Sequence, residues 1–352
     1  MAEEPGTDHP VEPKPSDRII LVRLSALGDI VHSWPLAVAI REARPECHLT
    51  WVVEKHFKTL VEGHPAVDEV VTVSSKRWRA QPFDRDVRAE IKAVKLRLQT
   101  GKPQLCIDAQ GLVKSALVTR WTRAVKRVGL ARPWRRELLS RLFYNSTIAG
   151  ADSHVVATNL ELVRSVGGVP PETPTSPNGL WLRCKVEQRR PHGPWSKSYA
   201  VVLPGAGEAS KILPAGTLSV VSDGIVKLGM DVVIAWGPSE RPRAEEIVAG
   251  CSARVHLAPK TDLEELAALL GDASLVVGGD TGPVHLAASL AVPTLSIFLT
   301  TDWRRNGPLG NQVAVISATE EGDLRPSGSA HAKKVRDVTA EEIIVGLRDL
   351  LG

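Results

Sequence analysis

Nowhere in the 352 residues does an uninterrupted apolar stretch approach the ~18 to 20 residues that cross a bilayer, and the N-terminus shows no basic start leading into an apolar core. Neither a membrane-spanning nor a secreted chain is indicated, and a cytosolic location is expected. Cysteine is scarce. Cys47, Cys106, Cys184 and Cys251 are scattered with no CxxC spacing, which argues against a zinc site or a disulfide framework and fits a reducing compartment. They are expected to be core residues. Residues 1–17 contain four prolines and no apolar periodicity, too little to offset the entropy of ordering, so a disordered tail is expected there.

What remains is an ordinary globular composition, 43% hydrophobic and 24% charged, long enough for two separate cores. The formal net charge of +4 hides an uneven distribution. Residues 76 to 141 carry 18 Lys and Arg against 5 Asp and Glu, a balance of +13 that leaves −9 for the rest of the chain. A charged stretch is often no more than solvated helix faces. Here, tryptophans are interleaved in KRWR (76–79), RWTRAVKR (120–127) and RPWRR (132–136), giving a flat apolar character beside the cationic one. Such a surface suits nucleic acid, anionic lipid or a phosphorylated glycolipid.

Buried strands alternating with helices run through the chain. RIILVRLS (18–25) reads as a strand, SALGD as a turn and IVHSWPLAVAIREA as a helix; HLTWVVE (48–54), DEVVTVS (68–74), AEIKAVKLRLQ (89–99), LCIDAQ (105–110) and LVKSALVTRWT (112–122) follow. Between 167 and 197 the composition turns to Gly, Pro and Ser, where a domain boundary is expected. A second series begins with SYAVVLPGAG (198–207) and includes DVVIAWG (231–237), SLVVGGD (274–280) and PTLSIF (293–298), closing with the helix TAEEIIVGLRDLL (339–351). The expected division is a tail (1–17), a first Rossmann-like domain (18–170), a linker region (171–197), a second Rossmann-like domain (198–335) and a terminal helix (336–352). Two doubly wound α/β domains facing one another place a ligand cleft at the carboxyl ends of both sheets.

The richest local signal is GGDTGPVH (278–285). A strand expected to end at Val277 meets a helix beginning near Pro283, with Thr281 or Gly282 as cap. The positive end of such a helix, approached closely over glycine, suits a diphosphate. Lys211 in GAGEASK and Glu240 after AWGPS follow two further strands of the same series, suited to phosphate and to ribose hydroxyls respectively. His285, one turn into the helix, reads equally as ligand contact or packing. In the first series the turn SALGD (25–29) puts a carboxylate, Asp29, where a phosphate loop avoids one; it suits removal of a proton from a hydroxyl, or capping of the helix. Asp84-Arg85-Asp86 has the DxD form of metal-dependent sugar transfer but sits in a charged stretch before a helix, which favours solvated surface. The GAG of LPGAGEASK lacks the full GxGxxG, so NAD binding is a weak reading.

With SALGDIVHSWP (25–35), WVVEKHF (51–57), KRWR (76–79), DAQGLVKSA (108–116), LFYN (142–145), WGPSE (236–240) and GGDTGPVHLAA (278–288) in this order, the chain resembles glycosyltransferase family 9, the ADP-heptose transferases of lipopolysaccharide synthesis. The resemblance runs from about Arg18 to the C-terminus. It implies the GT-B architecture, two Rossmann-like domains with the acceptor bound by the first and the donor by the second. It also implies inverting transfer of heptose from ADP-heptose to the Kdo of Kdo-lipid A, with no metal or other cofactor. Carried over by position, Asp29 is the catalytic base; Lys211, Glu240, Asp280, Thr281, Gly282 and His285 are donor-binding, and Arg77 and Arg79 face the acceptor. The implied location is peripheral, on the cytoplasmic face of the inner membrane, meeting its anionic surface and no nucleic acid. Addition of a second or later heptose is the neighbouring reading, and a non-enzymatic protein that binds anions or nucleic acid the distant one. The sequence departs from the family at Ile212-Leu213-Pro214, where relatives often carry tryptophan before the proline, and at Ala206-Gly207, where hydroxyl residues are seen.

Overall fold

In a computed structural model, residues 17–151, 153–320 and 333–352 are described. The tail expected over 1–17 lies outside the described residues except for Asp17, whose carbonyl accepts from His48 N at 3.0 Å.

The first half forms one parallel sheet from β1 (Arg18–Val22), β2 (His48–Glu54), β3 (Glu69–Val73), β4 (Leu105–Asp108), β5 (Lys126–Leu130) and β6 (Ser146–Ile148), in the order β3-β2-β1-β4-β5-β6. The second half repeats it. β7 (Tyr199–Leu203), β8 (Asp231–Ile234), β9 (Val255–Leu257), β10 (Leu275–Gly279), β11 (Thr294–Phe298) and β12 (Val313–Ser317) lie in the order β12-β11-β10-β7-β8-β9. Read from the other edge, this is the order of the first sheet. β1 and β7 are therefore equivalent strands, and so are β4 and β10. In both sheets the strand order reverses between these two strands, and the crevice beyond their carboxyl ends is the natural ligand site. This is the GT-B arrangement of two doubly wound α/β domains.

The central strands are buried along their length, as parallel strands covered on both faces must be. One apolar cluster runs from the first sheet into the second through Trp34, Leu182, Val186, Leu269, Leu286 and Leu290. The Gly- and Pro-rich region expected as linker contains a helix, Leu180–Val186, with Leu182 and Val186 buried one turn apart. Gly179 N donates to Ser289 O at 2.8 Å and Arg183 Nη1 to Leu290 O at 3.2 Å, tying this helix to the second sheet's layer. The terminal helix Ala340–Leu351, capped by Thr339, covers the opposite face of that sheet, burying Ile343 and Leu347 in a cluster with Leu218, Val221 and Ile225.

All four cysteines are free, and one departs from expectation: Cys47 and Cys106 are buried and Cys251 half-buried, but Cys184 is exposed on the outer face of the 180–186 helix. Among the described residues no helix is long and apolar enough to cross a membrane.

Candidate active site

Two strand-to-helix turns face each other across the cleft. After β1 the chain enters a short helix, Leu27–Val31, with Ala26 at the cap position and Asp29 as the third helical residue. Asp29 is thus not the cap residue that its turn equally suggested, although its Oδ2 accepts from Ala26 N at 3.4 Å. Opposite, β10 runs two residues beyond Val277 to Gly279, and the helix Gly282–Ser289 begins with Thr281 at its cap position. Gly28 and Gly282 let the two helix starts approach: a β-carbon on Gly282 would lie 2.8 Å from Leu27 Cβ and 3.2 Å from Gly28 N.

The cleft between them has a volume of about 500 Å³. Asp29, Lys211, Glu240, Asp280, Thr281, Gly282 and His285 all line it, with His32, Phe57 and Asn306. The sequence motifs from both halves thus converge on one space.

Asp29 sits between two arginines. Arg23 Nη2 is 2.6 Å from Oδ1, while Arg136 Nη1 and Nη2 lie 3.2 and 3.4 Å from the two carboxylate oxygens. Arg23 is buried at the end of β1, with a side chain only 3% exposed, and Nη1 also donates to Ala109 O. Burial works against the charge on Asp29, but Arg23 and then Arg136 outweigh it and hold the carboxyl below the usual carboxylate range. The carboxylate is ionised at neutral pH.

The turn beneath Asp29 is clamped from β4. Gln110 Oε1 accepts from Leu24 N at 2.9 Å and its Nε2 donates to Ser25 Oγ at 3.2 Å; Lys114 Nζ donates to the same hydroxyl at 2.9 Å. Asp108 in turn holds the Gln110 turn, accepting from Gln110 N, Ser115 Oγ and Tyr144 Oη at 2.8, 2.7 and 2.6 Å. The DAQG segment thus supports the turn that carries Asp29.

On the donor side, Lys211 ends the turn Ala209–Lys211 after β7, and its Nζ donates to Asp280 Oδ2 at 2.8 Å. Thr301 Oγ1 donates to the same oxygen at 2.8 Å, and His285 Nε2 stands 3.7 Å from Oδ1. Burial opposes the charge on Asp280, yet His285 and Lys211 hold its carboxyl far below the carboxylate range. Glu240, at the cap position of the helix Arg241–Ala249, accepts from Gly237 N at 2.7 Å, and a β-carbon on Gly205 would overlap its carboxylate. Gly205 is what lets a strand end and a carboxylate share that corner. His285 is both lining and packing: it borders the cleft, and its ring meets that of His32 edge-on at 4.5 Å.

Arg77 and Arg79 lie elsewhere, on the helix Ser75–Ala80 after β3. Arg77 Nη1 pairs with Glu90 Oε2 at 3.0 Å and both arginines are exposed. That helix starts at Ser75, whose N donates to the buried Glu54 at 3.1 Å, beside Lys114 at 4.0 Å. It therefore stands at the carboxyl edge of the first sheet but outside the cleft. Asp84 of the DxD form caps the helix Arg85–Gln99, accepting from Val87 N at 2.8 Å. Among the described residues no group of three or more His, Cys, Asp and Glu is placed to hold a metal ion.

Sequence reasoning gave neither Arg23 nor Arg136 a place beside Asp29. Arg23 had a signal, a charge inside a strand that must be buried on both faces. Arg136 was read only as part of the basic RPWRR stretch, and its pairing with Asp29 has no local signal because the two lie 107 residues apart.

Comparison with known proteins agrees with this fold. Residues 91–332 match the model of glycosyltransferase family 9 (heptosyltransferase). The chain is 32% identical over 322 residues to lipopolysaccharide heptosyltransferase 1 of Escherichia coli (strain K12), covering 90% of this chain and 99% of that one. It is 34% identical over 295 residues to lipopolysaccharide heptosyltransferase 1 of Pseudomonas aeruginosa, covering 83% and 81%. The structure of E. coli heptosyltransferase WaaC with ADP superposes with a TM-score of 0.78 at 30% identity, over 95% of this chain and 99% of that one. The chain belongs to glycosyltransferase family 9, the heptosyltransferases, and is a lipopolysaccharide heptosyltransferase of the GT-B fold.

Proposed function

We propose that the chain transfers L-glycero-D-manno-heptose from ADP-heptose to the Kdo of Kdo-lipid A, with Asp29 as general base. The observation that carries this reading is the position of an ionised Asp29 opposite the Lys211, Glu240, Asp280 and Gly282 cluster, across one cleft of about 500 Å³. The structure of E. coli heptosyltransferase WaaC with ADP-2-deoxy-2-fluoro heptose, 30% identical with a TM-score of 0.75, supports the donor class.

In this reading Lys211 and the N–H of Gly282 meet the diphosphate, Glu240 accepts from ribose hydroxyls, and Asp280, Thr281 and His285 orient the sugar. The Kdo hydroxyl oxygen attacks the anomeric carbon as the bond to the diphosphate breaks, and that electron pair leaves on ADP. The hydroxyl proton passes to Asp29. Because Arg23 and Arg136 hold Asp29 below the ordinary carboxylate range, it is a weak base toward a resting hydroxyl. It accepts the proton late, once bond formation to the electron-poor anomeric carbon has made the hydroxyl acidic. Lys211 and the helix start balance the departing charge, so the residues present need no metal for that step. Arg77 and Arg79, with the rest of the +13 segment, meet the anionic glycolipid and the cytoplasmic face of the inner membrane.

The test is release of ADP from ADP-heptose with Kdo-lipid A, in the presence of a chelator. Acceptor-dependent release supports the reading. Release only with an acceptor already carrying heptose would move the chain to a later step of core synthesis. Salt-sensitive binding to nucleic acid with no turnover would remove the enzymatic reading.

A further inference from the structure

The chain exposes three leucines within one short helix. Leu138, Leu139 and Leu142 of Leu138–Phe143 are 58, 65 and 79% exposed, although their neighbour Ser140 is buried. At three residues per turn, Leu139 and Leu142 share a face, and Leu138 stands next to them. The helix packs on Val113–Trp121, whose Leu117 is also exposed, extending the apolar surface. Scattered apolar residues on a surface need no explanation, but a contiguous group does.

The charge around this group is of one sign. From Arg120 to Arg141 the sequence holds eight Arg and Lys and a single acidic residue, Glu137. The Glu137 carboxylate is already committed, accepting from Val113 N at 2.6 Å. Arg120, Arg132, Arg136 and Arg141 are exposed. Exposed leucines flanked along the chain by exposed arginines, with the one acidic residue of the stretch already committed, fit an anionic bilayer: acyl chains receive the former and headgroup phosphates the latter. A protein partner of ordinary composition would meet the same surface with charges of both signs.

We infer that the 132–142 segment docks on an anionic lipid bilayer by inserting Leu138, Leu139 and Leu142 into its interface. Arg136, two residues before the leucines, reaches Asp29 at 3.2 Å, so this docking sets the mouth of the cleft against the membrane surface. The inference rests on the proposed acceptor only for its benefit to catalysis; the docking itself stands on the exposed leucines and the charge.

The experiment uses the full chain and vesicles of phosphatidylcholine with or without phosphatidylglycerol, read by sedimentation at low and high salt. The variants are Leu138→Ser/Leu139→Ser/Leu142→Ser and, separately, Arg132→Ser/Arg141→Ser, each checked for an unchanged melting temperature. Expected for the native chain is binding that requires phosphatidylglycerol, of which a part survives high salt. The leucine variant is expected to lose roughly tenfold or more in partitioning, and the salt-resistant part entirely. Equal binding by native and leucine variant, or abolition of native binding by salt alone, would overturn insertion. A concentration-dependent dimer that the leucine variant loses, without vesicle binding, would overturn the bilayer in favour of a second copy. Failure of the proposed function leaves all these results unchanged, since none requires turnover.

Discussion

Gly28 and Gly282 meet where the two sheets' helices face each other. A β-carbon on Gly28 would lie 2.8 Å from His285 Cδ2 and 3.5 Å from Gly282 Cα. The Asp29 side and the Asp280 side of the cleft are therefore set by one contact that only hydrogen atoms fill. Gly28→Ala must push His285, which is buried against His32, or separate the two helices. We expect a loss of about 1 to 3 kcal/mol in stability. With Asp29 moved relative to the donor, kcat/KM should fall by about 10- to 100-fold. Thermal melting and turnover of the purified variant measure both, and wild-type turnover in a folded Gly28→Ala chain would show that the spacing is not critical.

Lys211 pairs with Asp280 at 2.8 Å, and His285 and Thr301 face the same carboxylate, so the proposed turn of Lys211 toward a diphosphate would leave Asp280 with polar partners. Lys211→Met should weaken ADP binding by about 10- to 100-fold, the worth of a charge-assisted hydrogen bond. Calorimetric titration with ADP checks this, and an unchanged affinity would put the phosphates elsewhere.

Much of this site was legible before any coordinates. β2 and the terminal helix Ala340–Leu351 coincide with the expected segments, because a continuous apolar run and a threonine cap ahead of a helical apolar pattern are local signals. β5, β6, β9 and β12 were not identified. β6, β9 and β12 are edge strands, β6 and β9 only three residues long, and sequences such as STI and VHL carry no periodicity; β5, KRVGL, opens on two charges inside a stretch that reads as basic surface. The helix Leu180–Val186 was hidden by the surrounding glycines and prolines, although Leu182 and Val186 have the spacing of a buried face. The convergence of Asp29 with Arg136 depends on the path of the loop after β5, and no local pattern encodes that.

Arg23 is the buried counter-charge of Asp29, and its removal has a definite sign. Arg23→Met takes away the largest of the influences that lower the carboxyl, ahead of Arg136 and the Ala26 N–H, so the pKa of Asp29 rises. A base must be ionised to act, and the acid limb of the kcat/KM profile should therefore move to higher pH. Arg23→Lys, which keeps the charge, should restore most of the native profile. An unmoved acid limb in Arg23→Met would mean that the limb belongs to another group.

His64 and His154 set a limit on acid tolerance. Both are pushed down to about 4, His64 by burial, His154 by burial and the nearby charges of His285 and Arg305 against an opposing bond to Gly307. The folded chain keeps them neutral, whereas the unfolded chain protonates them near the ordinary value of 6.5. Below 6.5 the unfolded state binds more protons, so stability falls as pH drops toward 4, by roughly 3 kcal/mol per histidine at the bottom of the window. Urea unfolding between pH 7 and 5 tests this, with a shallower decline expected for His64→Gln. A flat profile would contradict the neutral burial of these rings.

The central claim is that Asp29 takes the acceptor's proton. Asp29→Asn keeps the shape and removes the charge, and the decisive measurement is its single-turnover rate with ADP-heptose and Kdo-lipid A beside its affinity for ADP. The account predicts a fall in rate of about 10²- to 10⁴-fold with ADP affinity unchanged. A rate within a few-fold of native would contradict it and leave Asp29 as a structural partner of Arg23 and Arg136.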